Sequence, residues 1–138
     1  MRALMILLLG SLAPLAGCGP AQTNMPMPGP PIAGLNLNGK WYSDEFGDMM
    51  LIQDKNGLRG TYEDPRGPDH NGRFQGIVQG DLITVEWIKP GNPVAAIMPV
   101  RGKGWLRITQ AGKRLEGQWG YDESLDDGGK WTAEKSAY

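Results

Sequence analysis

Residues that could act as nucleophiles, bases or soft metal ligands are few in this sequence. Cys18 is the only cysteine and His70 the only histidine among 138 residues. A nucleophilic triad would need His70 beside a serine or cysteine, yet it lies in the turn-rich segment 68–72. A zinc site needs three or four histidine or cysteine ligands, which this sequence does not offer. We therefore predict no catalytic residue and no cofactor, we assign no residue as a metal ligand, and we interpret His70 as a solvated loop residue.

Carboxylates are the remaining route to catalysis. The acidic segment 122–127 lacks the alternating spacing of an EF-hand calcium loop. Two carboxylates that face one cleft, as in glycosidases, stay open as an alternative. Acidic loops that keep turns hydrated are the simpler interpretation. The sequence favours a protein that is not an enzyme, with a carboxylate-based hydrolase of envelope glycans as the alternative.

Cys18 has an informative context. Residues 15–18 read Leu-Ala-Gly-Cys, behind Arg2 and an apolar run over residues 3–12. That run is too short to cross a bilayer, which takes about 20 apolar residues, but it suits a signal peptide. The segment resembles the signal peptide and lipobox of bacterial lipoproteins. The resemblance implies removal of residues 1–17, diacylglycerol on the Cys18 sulfur and an acyl chain such as palmitate on its amine. Gly19 in place of aspartate implies the outer membrane.

The mature chain would contain no other cysteine, so no disulfide is expected, and five tryptophans are the obvious core material. Without Arg2 it has thirteen basic and fifteen acidic residues, a net charge of about −2. Nucleic-acid binding needs a clear basic excess, so that function class is excluded.

Residues 18–37 form the lipidated cysteine and a linker rich in proline and glycine. Repeated prolines favour an extended, polyproline-like chain, so we expect the stretch from Gly19 to about Gly34 to form a semi-rigid spacer of roughly 45 Å at ~3.1 Å per residue. The domain that follows spans residues 38–138.

Period-two alternation predicts eight strands in this domain. They cover residues 39–43, 48–54, 58–63, 73–79, 82–89, 104–110, 114–121 and 130–134. Asn56-Gly57 and Gly80-Asp81 favour tight hairpin turns. A meander of eight strands is best closed, because closure removes the exposed edges. We predict an all-β, eight-stranded antiparallel up-and-down barrel, with an open two-sheet sandwich as the alternative.

Three strands share an apolar-x-glycine-x-apolar pattern, centred on Gly60, Gly76 and Gly117. Alternation turns these glycines inward, where a closed barrel needs bends and room for bulky neighbours. We expect valine at Gly60 or Gly117 to cost more stability than valine at Gly102 or Gly128, which the sequence places in loops.

Parts of these strands resemble avidin-like barrels. The segments are Gly39-Lys-Trp-Tyr, Gly57-Leu-Arg-Gly-Thr-Tyr-Glu and Thr84-Val-Glu-Trp. Lipocalin-like barrels share the same general shape. The resemblance implies a ligand at one open end of the barrel and places Tyr62 and Trp87 at ligand-contacting positions. Asp64 stands where a hydroxyl residue is expected, which argues against biotin.

Alternate turns of a meander lie at opposite ends, and the long loops all fall at one end. These loops collect many acids, so we expect a negative potential there and a cationic small molecule, a metal ion or a protein as partner. The predicted binding residues are Tyr62, Asp64, Trp87, Asp122, Glu123, Asp126 and Asp127. The predicted function is that of a lipid-anchored envelope lipoprotein whose barrel binds a ligand or serves a structural role.

Overall fold

The structure is a computed structural model that describes residues 25–137. Its strands are β1 (Gly39–Ser43), β2 (Gly47–Asp54), β3 (Gly57–Glu63), β4 (Gly72–Gln79), β5 (Leu82–Lys89), β6 (Val100–Thr109), β7 (Arg114–Tyr121) and β8 (Gly129–Lys135). Each pairs antiparallel with the next, and β1 pairs with β8 to close the barrel. The predicted closed meander is confirmed. The strand β6 begins four residues earlier than the sequence predicts.

The strands form because their apolar residues recur at every second position. In β3 the buried positions Leu58, Gly60 and Tyr62 alternate with exposed ones, so one face of the strand points into the barrel. Both end strands bring a tryptophan inward, and Trp41 and Trp131 are almost fully buried. Large side chains from all eight strands meet in one core. The barrel interior is therefore packed with side chains rather than hollow.

The inward glycines make room for this core. A Cβ on Gly60 would overlap the ring of Phe74, and one on Gly117 would overlap the backbone of β6 at Trp105. The two glycines that the sequence placed in open loops are also confined. Gly102 lies within β6 against the ring of Trp87, and Gly128 lies against the ring of Trp119. A valine at either position would therefore also meet a tryptophan ring, so the prediction that Gly102 and Gly128 tolerate valine better than Gly60 and Gly117 is wrong. The assignment of Gly102 to a loop is wrong as well.

The two ends of the barrel differ in the length of their connections. The turns after β2, β4 and β6 are tight and use left-handed backbone at Lys55, Gly80 and Ala111. We call this the hairpin end. The connections after β1, β3, β5 and β7 lie at the opposite end, and three of them are long. We call that the loop end.

Residues 25–38, which we call the strap, cross the hairpin end instead of hanging free as a spacer. The backbone N–H of Gly29 donates to Asp81 at 2.7 Å, and Arg107 donates to the carbonyl of Met27 at 3.0 Å. Leu37 is fully buried, and Trp41 donates its indole N–H to the Leu37 carbonyl at 2.9 Å. The apolar side chains of Ile32, Leu35 and Leu37, which follow the prolines, pack on the barrel core, and hydrogen bonds hold the backbone of the proline-rich part at Met27 and Gly29. The folded unit therefore includes this segment.

Within residues 25–137 we find no helix of the length and apolar character that a membrane crossing requires.

Candidate functional site

Aromatic side chains close the barrel at the loop end. Phe46 lies at their centre, with ring centroids 5.3 Å from Tyr62, 5.6 Å from Trp119 and 5.2 Å from Trp131. Most of these pairs are tilted or edge-to-face, the arrangements that aromatic quadrupoles favour. Between these rings and Lys89 remains a cavity of about 10 Å³, roughly the space of one water molecule. The barrel is therefore plugged just below its mouth.

The turn between β1 and β2 positions Phe46. Its backbone N–H donates to the hydroxyl of Ser43 at 3.2 Å. The carboxylate of Glu45 accepts hydrogen bonds from the backbone N–H and the hydroxyl of Thr132, at 2.9 and 3.0 Å. These contacts tie the turn to β8, the strand beside β1. A short polar turn thus directs one phenylalanine into the mouth.

Asp64 follows β3 and is buried. Its carboxylate accepts from Arg66 through the side-chain Nε at 2.9 Å, Nη2 at 2.8 Å and the backbone N–H at 2.9 Å. These hydrogen bonds hold the pKa of Asp64 below its usual range, although burial opposes them. Asp64 is therefore an ionised partner that fixes Arg66 at the rim.

Lys89 is the last residue of β5 and continues the inward series of Val85 and Trp87. It is half-buried above the aromatic plug. Burial, and next the positive charge of Arg66, lower the pKa of Lys89, while Asp64 opposes them. Among residues 25–137, no hydrogen-bond or ion-pair partner lies within reach of its ammonium group.

A solvent-open pocket of about 350 Å³ lies above the plug. We call it the mouth pocket. It is lined by Glu45, Phe46, Arg66, Lys89, Trp119, Tyr121, Gly128, Gly129 and Lys130. Three of these residues are basic and one is acidic, and the acid is engaged with Thr132. The immediate lining is therefore basic and aromatic.

Two of the sequence-predicted binding residues lie beneath this pocket rather than in it. Tyr62 and Trp87 are buried in the core. Burial, and next the charge of Asp64, raise the pKa of Tyr62, so its hydroxyl stays protonated. The Trp87 indole N–H is shared by the carbonyls of Lys103 and Gly120, both at 3.2 Å. Both side chains support the plug from below.

The acidic residues predicted from the β7–β8 loop do not line the mouth pocket. Glu123 pairs with Lys103 at 2.7 Å, on the outer face of the barrel. Asp127 accepts from the backbone N–H of Tyr121 at 2.8 Å, and Asp126 lies beside the hydroxyl of Ser124. Asp122 is exposed next to Glu123 and adopts a left-handed φ of 52°. Two of the four acids, Asp126 and Asp127, thus make contacts that stabilise the conformation of the loop itself.

Asp122 and Glu123 also border a shallow outer groove of about 670 Å³ across β2 to β6. Met50, Ile52 and Ile88 contribute its apolar surface. Its charged lining is mixed, with four basic residues and three acids: Arg59, Arg73, Arg101, Lys103, Glu86, Asp122 and Glu123. The groove is separate from the mouth pocket, since the two share no lining residue.

Sequence reasoning missed Phe46, Arg66 and Lys89 as site residues. Lys89 had a usable signal, because it falls on the inward positions of the predicted strand 82–89. Phe46 and Arg66 lie in loops, where alternation gives no direction. Of the predicted residues, only Tyr62, Asp64 and Trp87 come together near the mouth.

No three His, Cys, Asp or Glu side chains within residues 25–137 are arranged to hold a metal ion. Compared with family models, with curated proteins and with solved structures, the chain matches none of them.

Proposed function

We propose that this protein is a lipid-anchored lipoprotein of the bacterial outer membrane whose barrel binds a ligand or partner at its loop end and catalyses no reaction. The sequence around Cys18 supports the anchor, and the mouth pocket supports the binding function. The pocket is concave, open and near the size of small-molecule sites, which are typically ~300–1,000 Å³. Three loops from a rigid barrel frame it, which is the usual placement of binding residues.

The filled interior of the barrel restricts where a ligand can bind. Trp131, Trp41 and Leu106 occupy the space that a hollow barrel would offer. Packed interiors leave few voids larger than a water molecule. A ligand therefore rests on top of the plug, in the mouth pocket, rather than inside the barrel.

The hydrolase alternative has less support from the geometry. A general acid for glycoside hydrolysis needs a raised pKa beside a second carboxylate. Among residues 25–137 the one buried carboxylate is that of Asp64, and its pKa is lowered by Arg66. The one acid that lines the mouth pocket is Glu45, and its carboxylate accepts hydrogen bonds from Thr132.

The strap sets how far the barrel can stand from a membrane. Since residues from Met25 onward are held to the hairpin end, only residues 18–24 connect the barrel to a lipidated Cys18. Seven residues reach at most about 25 Å when fully extended. The proposal thus places the hairpin end near the lipid surface and the mouth pocket on the far side.

Replacing Cys18 with serine is expected to block lipidation, so that processing stalls or the product leaves the membrane fraction. Without the thiol no diacylglycerol can be attached, and stable anchoring takes two acyl chains at ~0.8 kcal/mol per buried CH₂. Detergent-phase partitioning of wild type and Cys18→Ser, with mass spectrometry of the N-terminal peptide, measures this. Equal aqueous partitioning of both proteins would contradict the anchor.

Incubation with peptidoglycan is expected to release no reducing ends above the level seen with heat-denatured protein. This assay separates binding from hydrolysis, because a glycosidase generates one reducing end for each bond cleaved. Release that depends on folded protein and disappears in Asp64→Asn or Glu45→Gln would favour the hydrolase instead.

A further inference from the structure

We propose that the mouth pocket takes a small anion that carries a planar apolar ring, such as an aromatic carboxylate. This inference rests on the proposed function, since it names the chemical class of ligand for the same site. It reverses the charge that the sequence suggests for a partner at the loop end.

The basic lining of the pocket is the first argument. Arg66, Lys89 and Lys130 line it, and Glu45 is its only acid. The Glu45 carboxylate accepts from the backbone and hydroxyl of Thr132, so less of its charge is available to a ligand. Arg66 is likewise engaged, by the Asp64 carboxylate, so the lining cations without a carboxylate partner among residues 25–137 are Lys89 and Lys130. An incoming anion therefore meets two cations whose charge is not already paired.

Lys89 supplies the central donor. Its ammonium group is half-buried and, among residues 25–137, has no carboxylate partner. The charge of Asp64 acts on Lys89, but Arg66 already engages the Asp64 carboxylate with two side-chain hydrogen bonds. A half-buried cation gains most from a partner that brings its own negative charge, because hydrogen bonds between charged groups are about twice as strong as neutral ones.

The aromatic walls supply the second argument. Trp119 is half-buried, Tyr121 is 46% exposed, and their ring centroids lie 5.1 Å apart at an interplanar angle of 72°. Two rings set edge to face leave an angled apolar surface beside the cations. A planar ring fits such a surface, since stacked and edge-to-face contacts add to the burial of apolar area.

The acids of the β7–β8 loop are largely engaged, although the Asp127 carboxylate lies close to the pocket, on the backbone N–H of Tyr121. Glu123 is neutralised by Lys103, and Asp126 and Asp127 make contacts within their own loop. None of them lines the mouth pocket. Exposed charges beyond about 10 Å are largely screened at ~0.1 M salt.

The test compares three probes of matched shape and different charge: benzoate, benzyl alcohol and benzylammonium. The protein is the mature chain carrying Cys18→Ser, so that lipid plays no part. The five tryptophans give five indole N–H signals in a nitrogen-15 NMR spectrum, which report binding near Trp119. We expect benzoate to bind about tenfold more tightly than benzyl alcohol, as one charge-assisted hydrogen bond allows, and benzylammonium not to bind.

Lys89→Met keeps most of the apolar stem and removes the charge. We expect it to weaken benzoate binding about tenfold and to leave benzyl alcohol binding unchanged, while Lys89→Arg retains the preference for benzoate. Lys113→Met, at the exposed hairpin end, is the matched control and should bind like wild type.

Three results would overturn the inference: no indole shift with benzoate, tighter binding of benzylammonium than of benzoate, or equal benzoate affinity in Lys89→Met and Lys113→Met. Each leaves the anchor standing, because membrane partitioning of Cys18→Ser is measured independently.

Discussion

Phe46→Ala is expected to lower the free energy of unfolding by about 3–5 kcal/mol, the usual cost of removing a buried aromatic ring. The Phe46 ring is buried and contacts the rings of Tyr62, Trp119 and Trp131. Those neighbours are themselves fixed by the strands of a closed barrel, so they cannot collapse fully into the space. Urea unfolding followed by tryptophan fluorescence measures the change.

Tyr42→Ala is the matched control for Phe46→Ala. Tyr42 is an aromatic residue four positions earlier, on the outer face of β1, and is 51% exposed. Its removal should cost much less, because substitutions on the surface usually stay within about 0.5 kcal/mol. Similar losses in the two variants would show that Phe46 does not plug the barrel.

Phe46→Ala is also expected to leave a cavity at the loop end of the barrel. A cavity lined by apolar rings stays dry and binds small apolar molecules. Benzene should therefore raise the melting temperature of Phe46→Ala and leave that of wild type unchanged. An identical response of both proteins would mean that the neighbouring rings fill the space.

The fold was predictable because barrel strands carry their signal locally. Period-two alternation marks inward positions, and Gly80-Asp81 marks a tight turn, without any knowledge of distant contacts. Closure follows from the count of strands and the need to pair both edges. The boundary of β6 was less predictable, because Val100 to Lys103 extend the strand through residues that do not alternate clearly.

The site was predictable only in part. Alternation shows which face of a strand a side chain occupies, but not how deeply that side chain is buried. Tyr62 and Trp87 were correctly placed on the inner face, yet Phe46 covers the end of the barrel and removes such positions from solvent. Phe46 enters from a loop. Its direction depends on hydrogen bonds to Ser43 and on the contacts of Glu45 with β8, which no local pattern reveals.

Charge counts along the chain give the composition of the loop end but not its pairings. The loop end is rich in acids, but a sum of charges does not say which of them are engaged. Glu123 pairs with a lysine of β6 and Asp64 with Arg66, whereas Lys89 has no such partner among the described residues. The charge that a ligand meets is set by these pairings rather than by the composition of the loops.

Leu37→Ala is expected to cost about 2–5 kcal/mol, the range for leucine in a packed core. The sequence assigned Leu37 to a linker, where the same change would cost almost nothing. In the structure its side chain is fully buried and belongs to the core cluster of the barrel. The strap also satisfies the indole N–H of Trp41 through the Leu37 carbonyl. Loss of the side chain should therefore loosen that hydrogen bond as well.

Met27→Ala is the matched control within the strap, because Met27 is 82% exposed. It should leave stability within about 0.5 kcal/mol of wild type. Hydrogen exchange of the Trp41 indole N–H distinguishes a detached strap from a simple cavity, since only detachment opens this donor to solvent. We expect faster exchange in Leu37→Ala and unchanged exchange in Met27→Ala. If Leu37→Ala were as stable as wild type, the strap would not be packed against the barrel. It would then be a free tether, and the barrel could stand farther from the membrane.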